Sequence, residues 1–169
     1  YITYLDTEMS SSANEKHIWD TLYAKIGNPY GVAGLMGNLY AESALRPDNL
    51  QGSFEDALGH SDASYTQAVD SGAYTGFATD SAGYGLAQWT ASDRKESLLA
   101  YAKEQGKSIG DLDMQLDFLY HELETKFPDV LAQLKNATSV RAASDSVLLH
   151  FEMPKDQSAS VQAERALFG

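Results

Sequence analysis

The sequence predicts a mainly α protein, and three observations carry that. Apolar residues recur at helical spacing in one segment after another. Glycine and proline punctuate the intervals. The alternation that a half-buried strand needs is weak everywhere, with the stretch near 74–90 as the one exception. The chain has 169 residues, which suits one domain with a real core, and its 43% hydrophobic and 11% aromatic content marks a folded chain rather than a disordered one.

The elements follow in order. Residues 1–12 read as a mixed lead-in ending in Ser10, Ser11 and Ser12. Asn14 is placed to cap a helix over 15–26, where Ile18, Leu22, Tyr23 and Ile26 share a face. Gly27, Asn28 and Pro29 end it. A second helix starts near Tyr30 and should stop by about Leu45, because Pro47 biases Arg46 out of helical angles. Its buried stripe is Val32, Leu35, Met36 and Leu39. Gly31, Gly34 and Gly37 recur every third residue. Each costs the helix about 1 kcal/mol against alanine, so their expected use is close backbone packing.

The stretch 48–82 predicts an irregular arm, rich in Gly, Ser, Asp, Thr and Tyr, with two short helices over about 53–58 and 62–70. Its Phe54, Tyr65, Tyr74 and Phe77 are expected to pack the arm down rather than to stack on a ligand. Ser92 is placed to cap a helix over 93–105 with Leu98, Leu99, Tyr101 and Ala102 inward. Asp111 or Asp113 opens the next, to about Lys126, with Leu116, Leu119, Tyr120 and Leu123 inside. A short helix follows over 129–134. Thr138 or Ser139 caps another to about Glu152, with Val140, Ala143, Val147, Leu148 and Phe151 inside, and Ser158 caps the last.

Charge and composition exclude several functions. Net charge is −12, from 24 acidic and 12 basic residues. A nucleic-acid binder needs a basic patch to neutralise phosphates, so that class is set aside. The same charge gives no electrostatic help on an anionic membrane or wall polymer. There are no cysteines, which excludes disulfides and thiolate metal sites. His121-Glu122 begins like a zinc motif, but Thr125 stands where the second histidine belongs. No cofactor or metal is expected. No run reaches membrane-spanning length. The chain begins at Tyr1 rather than Met, so residues 1–169 are expected to be a single domain excised or processed from a longer protein.

Two stretches could carry chemistry. Glu42 continues the apolar stripe of the second helix, three residues after Leu39 and seven after Leu35. A carboxylate there sits where core meets cleft, and partial desolvation favours its neutral, proton-donating form. The bland alternative is a solvated helix-end glutamate. Pro47 should also pull Arg46 away from pairing with Glu42 at helical spacing. The second stretch is Gly83-Tyr84-Gly85-Leu86-Ala87-Gln88-Trp89-Thr90. Two glycines let a backbone come close to something, Gln88 offers an amide, and Tyr84 and Trp89 offer flat faces. That mixture suits a sugar, and equally a turn around a core tryptophan.

GLMGNLYAES, a variable arm and then GYGLAQWT together resemble the phage tail lysozyme family. These are peptidoglycan-cleaving domains of tail proteins, endolysins and related secreted wall hydrolases. A third element, Phe151-Glu152-Met153-Pro154 followed by Ser158 and Arg165, resembles that family's late aromatic-Glu-x-Pro element and its downstream arginine. The resemblance covers roughly residues 14–168. It departs at Gly169, where the family's last helix normally continues.

The resemblance implies a lysozyme-like domain in which the arm at about 48–82 forms one cleft wall. Glu42 matches the catalytic glutamate. Ser43, Tyr84, Gly85, Gln88 and Trp89 fall on the substrate-binding segments. The implied partner is bacterial peptidoglycan, met outside the cytoplasm by a monomeric catalytic domain, with a separate wall-binding domain or carrier particle supplying attachment. Glycosidic cleavage needs a protonated acid beside the leaving oxygen, and hydrolases of this kind use a second carboxylate. Asp48, Glu55, Asp56, Asp62, Asp70 and Asp80 are candidates; Asp80 ranks first because it enters the GYGLAQ segment, and Glu55 next. The implied activity is an N-acetylmuramidase. A lytic transglycosylase, in which one glutamate is both acid and base, is the alternative, and a non-catalytic glycan-binding module a third. Glu152 is expected to form a structural ion pair with Arg165 or Arg141.

Overall fold

A computed structural model describes residues 2–154 and 157–168, with side chains from residue 13 onward. Tyr1 and Gly169, on which the sequence suggested an excised piece, lie outside the described residues. Among the described residues the chain forms nine α-helices and one π-helical turn, with no β-strand. The helices are α1 (Ile2–Ile26), α2 (Pro29–Ser43), α3 (Gly52–Leu58), α4 (Asp62–Ser71), α5 (Ser92–Gln105), α6 (Leu112–Thr125), α7 (Pro128–Lys135), α8 (Val140–Val147) and α9 (Ala159–Phe168). The mainly α expectation is met. The weak strand signal near 74–90 corresponds to two isolated antiparallel bridges, Leu50 with Tyr84 and Tyr84 with Trp89.

The chain divides into two compact units. The first joins both ends of the chain, Tyr1–Leu45 and Tyr120–Gly169. α2 runs through it with Val32, Leu35 and Leu39 fully buried. Asn28 starts α2 by accepting hydrogen bonds from the Tyr30 and Gly31 amides, and Pro29 stands in the first turn, where its missing N–H costs nothing. The glycines do what their spacing predicts. A Cβ on Gly31 would meet the Leu134 carbonyl oxygen of α7, and one on Gly34 would come within 2.5 Å of Ala143 Cβ on α8. Close helix contact is thus possible only without side chains there. Ser139 caps α8, which widens after Val147 into the π-turn Leu148–Glu152.

One boundary differs from expectation. Asn14 does not cap a helix: α1 already runs from Ile2, and the Asn14 amide reaches across to the Leu45 carbonyl at 3.4 Å. The serine run hid this extension because it carries no apolar periodicity. α2 stops at Ser43, within the expected limit of about Leu45, and the chain turns before it reaches Pro47. Ala44 and Leu45 both take left-handed angles (φ 54° and 61°), and the Ala44 amide closes the turn onto the Tyr40 carbonyl.

The second unit is Arg46–Leu119. Its arm is more regular than its composition suggests, since α3 and α4 fall on the two short helices read from the sequence. Gly59 and Gly72 close them in left-handed conformations that glycine adopts without steric cost. Tyr65 and Phe77 are fully buried and pack with Tyr84 at ring distances of 5.5 and 5.7 Å, so packing is their role.

Candidate active site

In the first unit the side chains around Glu42 form a short hydrogen-bonded chain. Glu42 stands in the last turn of α2, and its side chain keeps 18% of its exposure. Arg165 of α9 approaches Glu42 Oε1 at 2.7 Å. A second guanidinium nitrogen of Arg165 donates to Asn38 Oδ1 at 3.2 Å. Asn38 is wholly buried, and its Nδ2 donates to the Gly34 carbonyl, the Ser144 carbonyl and Ser144 Oγ at 3.0–3.1 Å. Ser43, next to Glu42, is buried and donates its hydroxyl to the Leu39 carbonyl. The two left-handed residues that follow cost about 1–3 kcal/mol each and persist only because their surroundings impose them.

Arg46 turns away from Glu42, as expected of the residue before Pro47, and pairs with Asp62. The cation arrives instead from the far end of the chain. Arg165, read as a partner of Glu152, reaches Glu42 and Asn38, and Arg141 pairs with Asp145 at 3.0 Å.

In the second unit the GYGLAQWT segment is a tight loop held by glutamines. Gly85 has φ +83°, and a Cβ there would meet the Gln115 amide and the Trp89 ring at 2.9–3.0 Å. Buried Gln115 accepts from the Leu86 amide and donates to the Pro47 and Ile109 carbonyls, tying three loops at one point. Gln88 also lies in the left-handed region, and its Nε2 donates to the Asn49 and Gly85 carbonyls. Gln51 Oε1 accepts from the Gly83 amide. Tyr84 and Trp89 were read as flat faces for a sugar, but their exposures are 0% and 1%. Both rings are enclosed, Trp89 against Phe118 at 5.5 Å, so neither offers a face to a ligand.

Asp80 sits deep in the same unit. Its carboxylate receives Lys95 Nζ at 2.6 Å, the hydroxyls of Tyr65 and Tyr74 at 2.6 and 2.9 Å, and the Ala82 amide at 3.0 Å. Lys95 is wholly buried, donates also to the Ala82 carbonyl, and lies 4.4 Å from the centre of the Phe77 ring. Burial works against the Asp80 charge, but the hydrogen bonds from Lys95, Tyr65 and Ala82 outweigh it and hold the acid below its ordinary value. Burial likewise lowers Lys95, opposed by Asp80, and burial with the Asp80 hydrogen bond pushes Tyr74 up to about 12. Glu55, the weaker candidate, is half-buried on α3.

Sequence reasoning missed Asn38, Ser144, Lys95 and Gln115. Lys95 had a signal: with Leu98 and Ala102 it falls on the inward stripe of α5, where a lysine requires a buried partner. Asn38 lies beside Leu35 and Leu39 on the buried side of α2 and carries the same kind of warning. Among the described residues no group of three or more His, Asp or Glu is placed to hold a metal, and no helix is long and apolar enough to cross a membrane.

A mainly helical fold, with no strand among the described residues and with α2 ending in a partly screened glutamate, is consistent with a lysozyme-like α-domain. A sequence model of the phage tail lysozyme family matches residues 13–167, and the chain belongs to that family. Membership makes it a lysozyme-like, cell-wall lytic enzyme with peptidoglycan as its substrate and fits action on the wall from a phage particle. No curated protein matches the chain.

Proposed function

We propose that the protein is an N-acetylmuramidase, cleaving the β-1,4 link from N-acetylmuramic acid to N-acetylglucosamine with Glu42 as general acid. The observation that carries this is the position of the carboxylate, in the last turn of α2 and partly screened from water. Glu42 gives its proton to the glycosidic oxygen, since an alkoxide is a poor leaving group. The bond to the anomeric carbon then breaks and its electron pair goes to that oxygen. Water attacks the resulting oxocarbenium-like centre and gives its proton to the Glu42 carboxylate, which restores the acid.

The substrate contacts we propose are narrower than the motif suggested. Gln88 keeps its Nε2 on two carbonyls, which leaves Oε1 to accept from a sugar hydroxyl or acetamido N–H. Gly85 shapes the loop that presents it, and Tyr84 and Trp89 support that loop from beneath. Ser43 steadies the end of α2. The whole chain acts as one catalytic domain, and a carrier particle or separate wall-binding domain brings it to the wall.

Asp80 favours a second reading. Lys95, two tyrosine hydroxyls and a backbone amide already occupy its carboxylate. With Asp80 committed to the core, Glu55 is the weaker remaining choice, and a lone glutamate suits a lytic transglycosylase in which the sugar's own 6-hydroxyl replaces water.

Two measurements test these readings. Glu42→Gln should slow turbidity loss of purified walls by at least about a hundredfold, the usual contribution of a positioned acid, with the helical circular dichroism intact. Undiminished lysis would sink the acid assignment. Mass spectrometry of the products separates the chemistries: reducing ends support hydrolysis, and 1,6-anhydro-muramic ends replace it with transglycosylation.

A further inference from the structure

The arginine beside Glu42 is held on both sides. Asn38 donates through Nδ2 to Gly34 and Ser144, so its Oδ1 can only point the other way, toward Arg165. That fixes one prong of the guanidinium. The planar fork then aims the other prong at Glu42 Oε1. Arg165 is 9% exposed, far below a surface arginine. α9 is pinned a second time where Phe168 meets the Tyr40 ring edge-on at 4.9 Å. The path thus runs from Ser144 on α8 through Asn38 on α2 and Arg165 on α9 back to Glu42.

Resting on the reading of Glu42 as the acid, we propose that Arg165 is its positioning residue. Once Glu42 has passed its proton to the glycosidic oxygen it is a carboxylate, and the bonding pair has gone to the leaving group. The paired arrangement seen here is the state that step produces. Negative charge therefore develops against a cation already in place, which costs no reorganisation. The same fork holds the carboxylate still for its next task, taking a proton from the incoming hydroxyl. An unanchored glutamate at a helix end would spend its time among several rotamers.

The competing view is a clasp that only fastens α9 to α2. The two differ in a kinetic split and in a double variant. On soluble glycan strands prepared from peptidoglycan, the full chain bearing Arg165→Met should lose about ten- to hundredfold in kcat, the scale of a misplaced group, with KM held within about threefold. Arg165→Lys should recover part of the loss by restoring charge. In the Glu42→Gln background, Arg165→Met should slow the residual rate no further, because the group it acts through is gone. Wild-type kcat in folded Arg165→Met, a change confined to KM, or a further tenfold loss in the double variant would each overturn the proposal. If Arg165→Met does not fold, Arg165→Gln is read by the same criteria. An active Glu42→Gln would overturn the acid assignment itself. An inactive Glu42→Gln beside a fully active Arg165→Met would overturn only the role given to Arg165.

Discussion

Lys95 carries a charge into the core of the second unit, with no exposed surface of its own, and Asp80 meets it at 2.6 Å. Removing one partner of such a pair strands the other. Asp80→Asn should therefore cost about 3–5 kcal/mol, seen as a large fall in melting temperature. Replacing both partners, with Lys95→Met added, should restore much of that loss. The pH dependence has a defined sign. The folded Asp80 value lies below the unfolded one, so its contribution is complete above about pH 4 and fades as pH falls through the lower folded value. Melting curves across acid pH should accordingly slope less for Asp80→Asn than for the unaltered protein. At this scale the sequence was read unevenly. Glu42 stood out because it extends an apolar stripe. Its pairing with Arg165 did not, because the two meet only through helix packing across most of the chain. Tyr84 and Trp89 were ambiguous for a chemical reason: the same ring suits a sugar face and a core.

Elements were easier to read where local chemistry ends them. α3 and α4 match the arm's expected helices because glycines at 59 and 72 supply left-handed caps whatever the surroundings. The start of α1 is hidden because serines obscure its register, and the end of α2 is legible to within two residues although Ala44 and Leu45 adopt an angle that neither residue announces. The helix contacts at Gly31 and Gly34 were legible, since glycine every third residue has few other uses in a helix. Gln115 on α6 was not, although it organises the loops on which Gln88 sits. Gln115→Leu would leave the Leu86 amide and the Pro47 and Ile109 carbonyls without their partner. Each orphaned group costs about 1–3 kcal/mol, so stability should fall by about 3 kcal/mol or more, and hydrogen exchange at the Leu86 amide should quicken markedly. Unchanged exchange there would show that the loop holds itself.

For the molecule as a whole, charge works against the task. A protein of net charge −12 approaching a wall that carries anionic polymers is repelled beyond contact range. Added salt screens that repulsion, with a Debye length of about 10 Å at 0.1 M. Lysis of intact walls by the isolated chain should therefore rise with ionic strength before it levels off. Cleavage of short neutral glycan fragments should stay flat, and a fall in wall lysis over the same range would mean that attraction dominates instead.

The anchor of Arg165 on Asn38 spans 127 positions of sequence. The first unit is built from residues 1–45 and 120–169, so α9 leaves the ribosome after the eight other α-helices among the described residues. Until α9 emerges, a growing chain carries Glu42 without the cation that orients it. Closing so long a loop costs little more than closing one half as long, about 0.6 kcal/mol, so delaying this contact to the end exacts little stability. The order of synthesis thus completes the cutting edge late: Glu42 gains its arginine only after the helices of residues 2–147 have been made.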